Sequence, residues 1–372
     1  MAQSTTLPPL KTDKVTKDKT NFNGFLLALG VVALTIAVLW YGFIFLRDTT
    51  LSKWAVVVIA IVWGVGGSAA FFVVTNFLLE QLSDLWRQRI QPYIFIGPAM
   101  ALLIWFLALP TFRTFYISLY DRNSESFVGL QNYIDVFTDR AMVETFRNNL
   151  LWIAFGATAA VVMGLLIATL ADRSSFENVA KAIIFLPMAI SLVGAGVIWN
   201  FIYEVRDASD SQIGLLNAVV VALGGEPQAW TAMLQPWNNL FLIVIMVWLQ
   251  TGFAMVLFSA AIKGIPSEIL EAARVDGATE VQVFFQIMIP YISGTIITVS
   301  TTVIIFTLKI FDVVIVMTGG QYGTEVIATQ FYRQYFVNRN FGYGSAIAIV
   351  LLLAVVPVMI YNLRQFSQRR AF

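Results

Sequence analysis

NLFLIVIMVWLQTGFAMVLFSAAI, residues 239–262, runs for 24 residues without one Asp, Glu, Lys or Arg. At about 1.5 Å of rise per residue, a helix of that length extends about 36 Å and crosses a hydrocarbon core of about 30 Å. Seven further windows are equally free of charge: roughly 24–46, 54–79, 93–112, 149–170, 182–203, 287–308 and 344–363. A bilayer admits only helices and closed barrels, and barrel strands alternate polar and apolar residues over about ten positions. Continuous apolar runs are the opposite pattern. The sequence therefore predicts an all-α fold, a polytopic membrane helical bundle with eight transmembrane helices.

Composition agrees. Of the 372 residues 58% are hydrophobic and 12% charged, about half the charged share of a soluble domain. The formal net charge of +1 gives no reason to expect nucleic-acid binding. With no Cys there are no disulfides, thiolate metal sites or cysteine nucleophiles, and with no His the commonest metal ligand and general base is missing. Little equipment for covalent chemistry remains, which points to a membrane machine whose energy source lies on another chain.

The polar stretch 1–23, with Lys11, Lys14, Lys17 and Lys19, reads as a disordered cytoplasmic tail. The run after it is too long for a signal peptide and lacks a small-residue cleavage pattern. Placing the tail inside gives the cytoplasm those four lysines, Arg87, Arg89, Arg173, Lys181, Lys263, Arg274, Arg364, Arg369 and Arg370, a majority of the 23 Lys and Arg. The positive-inside rule then favours both termini in the cytoplasm, and eight spans close consistently. Three longer loops, about 113–148, 204–238 and 309–343, fall outside. In the first, Tyr133, Val136, Phe137, Val143 and Phe146 recur at near-helical spacing, as in a capping helix on the membrane or a docking surface. Trp199, Asn200 and Tyr203 fit an interfacial aromatic belt. Lys309 and Asp312 stand one turn apart at the end of a span, where they can pair or snorkel.

The longest inner loop covers about 263–286. Ser267 is a candidate N-cap beside Pro266, Glu268 and Glu271 suit the positive end of a short helix, and Gly277 suits the left-handed residue that ends it. Thr279-Glu280-Val281-Gln282 is a capping-box pattern for a second helix running into the membrane at Pro290.

Glu271-Ala272-Ala273, then Gly277, then Ile287-Met288-Ile289-Pro290 resembles the EAA signature of permease subunits of bacterial ATP-binding-cassette (ABC) importers, with Ile289 where that pattern has leucine. Pro92-Tyr93-Ile94-Phe95, Phe127-Val128-Gly129-Leu130-Gln131-Asn132-Tyr133, Asn148-Asn149 and Lys309-Ile310-Phe311-Asp312 with Met317-Thr318-Gly319-Gly320 are similar to blocks of the carbohydrate, maltose-permease branch. The resemblance covers residues 92 to the end. It implies a type I ABC importer transmembrane fold: a six-helix permease core over 92–372 with a cytoplasmic coupling loop at about 263–288. Residues 1–91 would be the tail plus two accessory helices, which anchor the chain or pack on the partner permease.

The resemblance further implies a heterodimer with a second permease, two ATPase subunits, an extracytoplasmic solute-binding protein and the lipid of a bacterial inner membrane. ATP and Mg would bind the ATPases, and this chain would hold no cofactor and catalyse nothing itself; it has no GxxxxGK[ST] phosphate loop. Glu271, Ala272, Ala273, Gly277, Ile287 and Pro290 would couple to the ATPases. Leu249, Gln250, Phe253, Phe306, Thr307 and Ile310 would contact sugar, an oligosaccharide or glucoside, although Ile310 stands where the maltose type is polar. A non-sugar ABC importer shares the same loop. An ion-coupled secondary transporter is the rival from another class, and the charge-free windows argue against it.

Overall fold

The computed structural model describes residues 21–369 apart from 173–175 and 208, so nearly all of the expected tail lies outside the described residues. Helices α1 (Phe22–Asp48), α2 (Lys53–Glu80) and α3 (Asp84–Ile117) come first. The short α4 (Gln131–Thr138) precedes α5 (Arg140–Ala171). Next, α6 (Glu177–Ala189) and α7 (Leu192–Ile202) meet at 102°. An eight-residue α8 (Leu215–Ala222) leads to α9 (Trp237–Lys263). After α10 (Ser267–Val275), α11 (Glu280–Tyr291) and α12 (Ser293–Leu308) meet at 71°. The short α13 (Asp312–Thr318) and α14 (Ile327–Tyr332) precede the long α15 (Phe341–Arg369).

Among the described residues six helices are long and apolar enough to cross a membrane, and there are eight spans if each bent pair counts as one. The all-helical bundle is therefore as expected, but windows 182–203 and 287–308 are broken rather than straight. At the first break Ile190 is extended, and the Ser191 side chain restarts the helix by accepting a 3.0 Å hydrogen bond from the Gly194 N–H. At the second, Ile292 interrupts the helix two residues after Pro290.

Two of the wide π-turns have a cause in the sequence. Residues Ile104–Ala108 and Val283–Met288 are π-helical, and each run ends two residues before a proline, Pro110 and Pro290. Proline lacks the N–H that an α-helix needs and its ring clashes with the carbonyl four residues back. Widening the preceding turn lets Leu109 donate to Ile104 O and Ile289 to Phe284 O, which keeps the backbone bonded where no water can serve it.

Helix α9 is central. More than half of its most apolar stretch is buried, against none in α1 and α2. It packs along α5, where Gly156, Ala160, Gly164 and Ala168 recur every fourth residue and are all buried. A methyl group on Gly164 would stand 2.5 Å from Ala254 Cβ and 2.9 Å from Met255 N, so only a residue without a side chain permits this approach. Such small-residue seams replace the hydrophobic drive that lipid removes.

Contacts divide the chain into two compact units, one reaching to Thr111 and one starting at Phe112. The sequence draws its boundary earlier, at 91/92; α3 packs on α2, and α2 on α1. In the second unit Val136 of α4 and Met142 of α5 are fully buried with Ile327, Tyr343 and Ile347. The amphipathic stretch 131–149 is thus spent largely on the chain's own α14 and α15, while Phe137 and Val143 remain exposed.

Candidate functional site

The loop joining α9 to α12 has the local form its residues dictate. The Ala278 N–H donates to Ala273 O at 3.0 Å and the Gly277 N–H to Arg274 O at 3.1 Å, the paired bonds of a Schellman ending, with Gly277 at φ +86°. In the capping box, Thr279 Oγ1 accepts from the Gln282 N–H at 3.3 Å and Gln282 Oε1 from the Thr279 N–H at 2.8 Å. Ser267 does not cap α10: Pro266 holds the cap position, Ser267 is already helical, and no side chain bonds the first turn.

The loop has two faces. Ile265 is buried in the main core, and Leu270, Ala273 and Ala278 pack against it. Glu271, Ala272 and Gly277 are exposed, as are Ile269 and Val275, the latter at 86%. Arg274 Nε donates to Glu280 Oε1 at 2.8 Å, tying α10 to α11, and this carboxylate holds the guanidinium above the usual arginine range. Of the other two residues singled out, Ile287 is half-buried in the π-turn and Pro290 exposed in the last turn before the bend. The structure thus joins Glu271, Ala272 and Gly277 on one projecting surface and places Ile287 and Pro290 where the following span bends.

Sequence reading missed the charged cluster beneath this loop. Lys181 Nζ bonds Asp172 and Ser259, and Glu177 at 2.5 Å; Lys263 Nζ donates to the same Glu177 oxygen at 2.5 Å, and Ser259 Oγ to Asp172 Oδ1 at 2.8 Å. Lys181 and Asp172 are largely buried, with side chains 16% and 10% exposed. These five residues knot the ends of α5, α6 and α9 beside the first residues of the loop. The four-residue spacings Glu177–Lys181 and Ser259–Lys263 were the available signal, but nothing local shows that they meet.

The six residues expected to contact sugar are only partly gathered. Leu249, Phe253, Phe306 and Ile310 share the main core cluster, and Thr307 touches it through Met246 Sδ at 3.7 Å. Leu249, Thr307 and Ile310 are buried, and the Thr307 hydroxyl donates to Val303 O at 2.7 Å within its own helix. Gln250, Phe253 and Phe306 are half-buried, and among the described residues the Gln250 side chain makes no hydrogen bond. An apolar cavity of about 670 Å³ lies elsewhere, lined by Phe155, Met163, Ile183, Trp199, Val247 and Trp248 among others, and by none of those six.

Trp199 and Tyr203 are not a simple belt. Their rings lie 5.1 Å apart, Trp199 meets Trp248 at 5.7 Å, and Tyr203 donates its hydroxyl to Phe241 O at 2.9 Å. Lys309 and Asp312 make no ion pair among the described residues, because Lys309 ends α12 and Asp312 begins α13 after a sharp turn. Buried asparagines brace the end of the bundle opposite the loop. Asn148 Nδ2 donates to Gly323 O and Glu325 O at 2.7 and 2.8 Å, Asn149 Oδ1 accepts from the Ile327 N–H at 2.8 Å, and Asn238 Nδ2 donates to Tyr322 O at 2.7 Å.

Comparison with known proteins places this architecture. The chain is 53% identical over 274 residues, 74% of its length and 98% of the relative's, to the osmoprotective compounds uptake permease protein GgtC of Synechocystis sp.. It is 46% identical over 325 residues, 84% of its length and 96% of the relative's, to the alpha-glucoside transport system permease protein AglF of Rhizobium meliloti. The trehalose/maltose transport system permease protein MalF of Thermococcus litoralis matches at 29% over 296 residues, 77% and 96% of the two chains. A chain of a bacterial alginate ABC transporter, crystallised with its alginate-bound periplasmic protein, shares the fold with a TM-score of 0.64 at 20% identity, covering 74% of this chain and 93% of that one. Residues 160–371 match the family described as binding-protein-dependent transport system inner membrane component. This multi-pass membrane protein therefore belongs to that family of ABC importer permeases.

Proposed function

We propose that this chain is the permease subunit of an ATP-driven importer for a neutral carbohydrate, an oligosaccharide or a glucoside. It forms the path with a second permease, receives solute from an extracytoplasmic binding protein and is driven by two ATPase subunits that hold ATP and Mg. Both termini and the α10 loop face the cytoplasm. The observation that carries this reading is the projecting surface of α10: Glu271, Ala272, Ile269 and Val275 are exposed on a helix stopped at Gly277 and held to the bundle by Ile265 and Leu270. A small helix that exposes Ile269 and Val275 beside the carboxylates of Glu268 and Glu271 suits a groove on a partner. Its motion would reach the pore through the α11–α12 bend and through the Lys181 cluster, as rigid-body movement between two states. Similarity to permeases named for alpha-glucosides and for trehalose and maltose supports the substrate class. A neutral sugar needs apolar faces and hydrogen-bonding groups rather than charge, and Gln250 with Phe253 and Phe306 supplies both.

The test is substrate-stimulated ATP hydrolysis in proteoliposomes holding this chain with its second permease, ATPase and binding protein, against a panel of glucosides, oligosaccharides and osmoprotective compounds. One sugar should stimulate hydrolysis, and Glu271→Lys should abolish stimulation while the chain still inserts. Undiminished uptake by Glu271→Lys would overturn the role of α10. Stimulation by a non-sugar alone would overturn the substrate class.

A further inference from the structure

The segment between α7 and α9 is neither a membrane span nor an ordinary polar loop. Its charges gather at the start, in Glu204, Arg206, Asp207 and Asp210, and from Ser211 to Pro236 the only charged residue is Glu226. Helix α8, at eight residues about 12 Å long, is too short to cross a bilayer. Its sequence, LLNAVVVA, has a single polar residue, Asn217, and that residue is fully buried.

Asn217 fixes how the helix is turned. Its Nδ2 donates to Glu204 O at 2.9 Å and to Gln228 O at 3.0 Å, while its Oδ1 accepts from the Gln228 N–H at 2.9 Å. With Asn217 facing inward and Leu216 packed against the core, Leu215, Val219 and Leu223 form an outward row at four-residue spacing, 59%, 50% and 83% exposed. Glu204 lies two residues past the end of α7, and the Trp230 ring meets Phe241 of α9 at 4.9 Å, tilted by 57°. The hairpin is therefore bolted to the ends of two membrane helices, at the level where bilayer meets water. Leu234 and Trp237, just before and at the start of α9, are exposed too, at 87% and 60%.

We infer that the partner of this surface is the bilayer itself: α8 lies along the headgroup–acyl boundary with Leu215, Val219 and Leu223 in the acyl region. The outward row is aliphatic, with no charge and no hydrogen-bonding side chain, whereas a protein interface combines aromatic or arginine anchors with a polar rim. The row is also tethered beside the ends of α7 and α9, through Asn217 to Glu204 and through Trp230 to Phe241, and an exposed Trp237 at the start of α9 suits the boundary. A short helix with one face held by the protein and the other by lipid gains burial in proportion to its apolar area.

The chain has no cysteine, so single labels are unambiguous. Val219→Cys, Leu223→Cys and, as an aqueous reference in the same hairpin, Glu226→Cys would each carry a nitroxide in the assembled transporter in phosphatidylcholine vesicles. Collision rates with oxygen and with a neutral nickel chelate are then read by power saturation. At 219 and 223 oxygen collisions should outnumber those with nickel, with the reverse at 226. Nickel access at 219 and 223 equal to that at 226 would place the row in water and overturn the inference. Low access to both reagents would show a protein covering it and overturn the inference equally. Substrate-stimulated ATPase on the same labelled samples separates this result from the transport reading, which it does not require.

Discussion

Lys181 is the residue with most at stake for its size. It lies between Asp172 and Glu177, with Ser259 on a third side, and it knots three helix ends. Removing one partner of a buried ionic group leaves the other charge unpaired in a poor solvent, which costs more than replacing both by neutral groups. Lys181→Met should therefore lower the melting temperature of the purified complex by more than the double substitution Asp172→Asn/Lys181→Met does. A double variant that loses the sum of the two single losses, read in a thermal-shift series with Asp172→Asn alone included, would show that the cluster does not act as a unit. Residues whose roles were legible beforehand are those governed by near neighbours. Gly277 ends its helix and Thr279 with Gln282 starts the next, because both roles depend only on backbone within a few positions. Ser267 was misread for the converse reason: Pro266 is equally able to precede a helix, and the choice between adjacent positions depends on how α10 leaves the core at Ile265.

At the scale of elements, hydropathy located the six long apolar helices and the two bent pairs among the described residues, and the kinks were hidden from it. A window sum carries no angle, so the 102° and 71° breaks lay inside runs that looked uniform. Proline accounts for the wide turns at 104–108 and 283–288 once the structure shows them, whereas Trp152–Ala157 and Arg333–Val337 are π-helical with no proline just beyond. The α5–α9 seam is the element most sensitive to size. Gly164→Leu puts a side chain where even a methyl meets Ala254 and the backbone at Met255, and overpacking of this kind costs about 1–3 kcal/mol or more. We expect the Leu variant to be recovered largely as aggregate on size-exclusion chromatography after detergent extraction, while Ala at exposed Gly30, which meets nothing within 4 Å, leaves the profile unchanged. Similar recovery of both variants would mean that α5 and α9 do not pack as described.

For the molecule as a whole, orientation is the testable statement. Val275 projects from the α10 loop and Tyr322 from the asparagine-braced end. In the cysteine-free chain, expressed without the ATPase subunits that would cover α10, Val275→Cys should react with a membrane-impermeant maleimide in inside-out vesicles and Tyr322→Cys in right-side-out ones. Labelling on the opposite sides would reverse the proposed topology. The charge count of the loops argues for this orientation because lysine and arginine near span ends resist translocation.

Composition and periodicity by themselves determined that this chain is a helical membrane protein, where its apolar runs lie, and that a capped helix–turn–helix sits between two of them. All of these follow from the cost of exposing backbone or charge to lipid and from backbone rules acting over a few residues. Tertiary structure alone decided which runs break, that α9 is the central helix, that Asp172, Lys181 and Lys263 converge beneath the loop, and that Thr307 and Ile310 are buried in the core. Each of these depends on which side chains from distant parts of the chain compete for the same volume, and sequence spacing does not encode that competition.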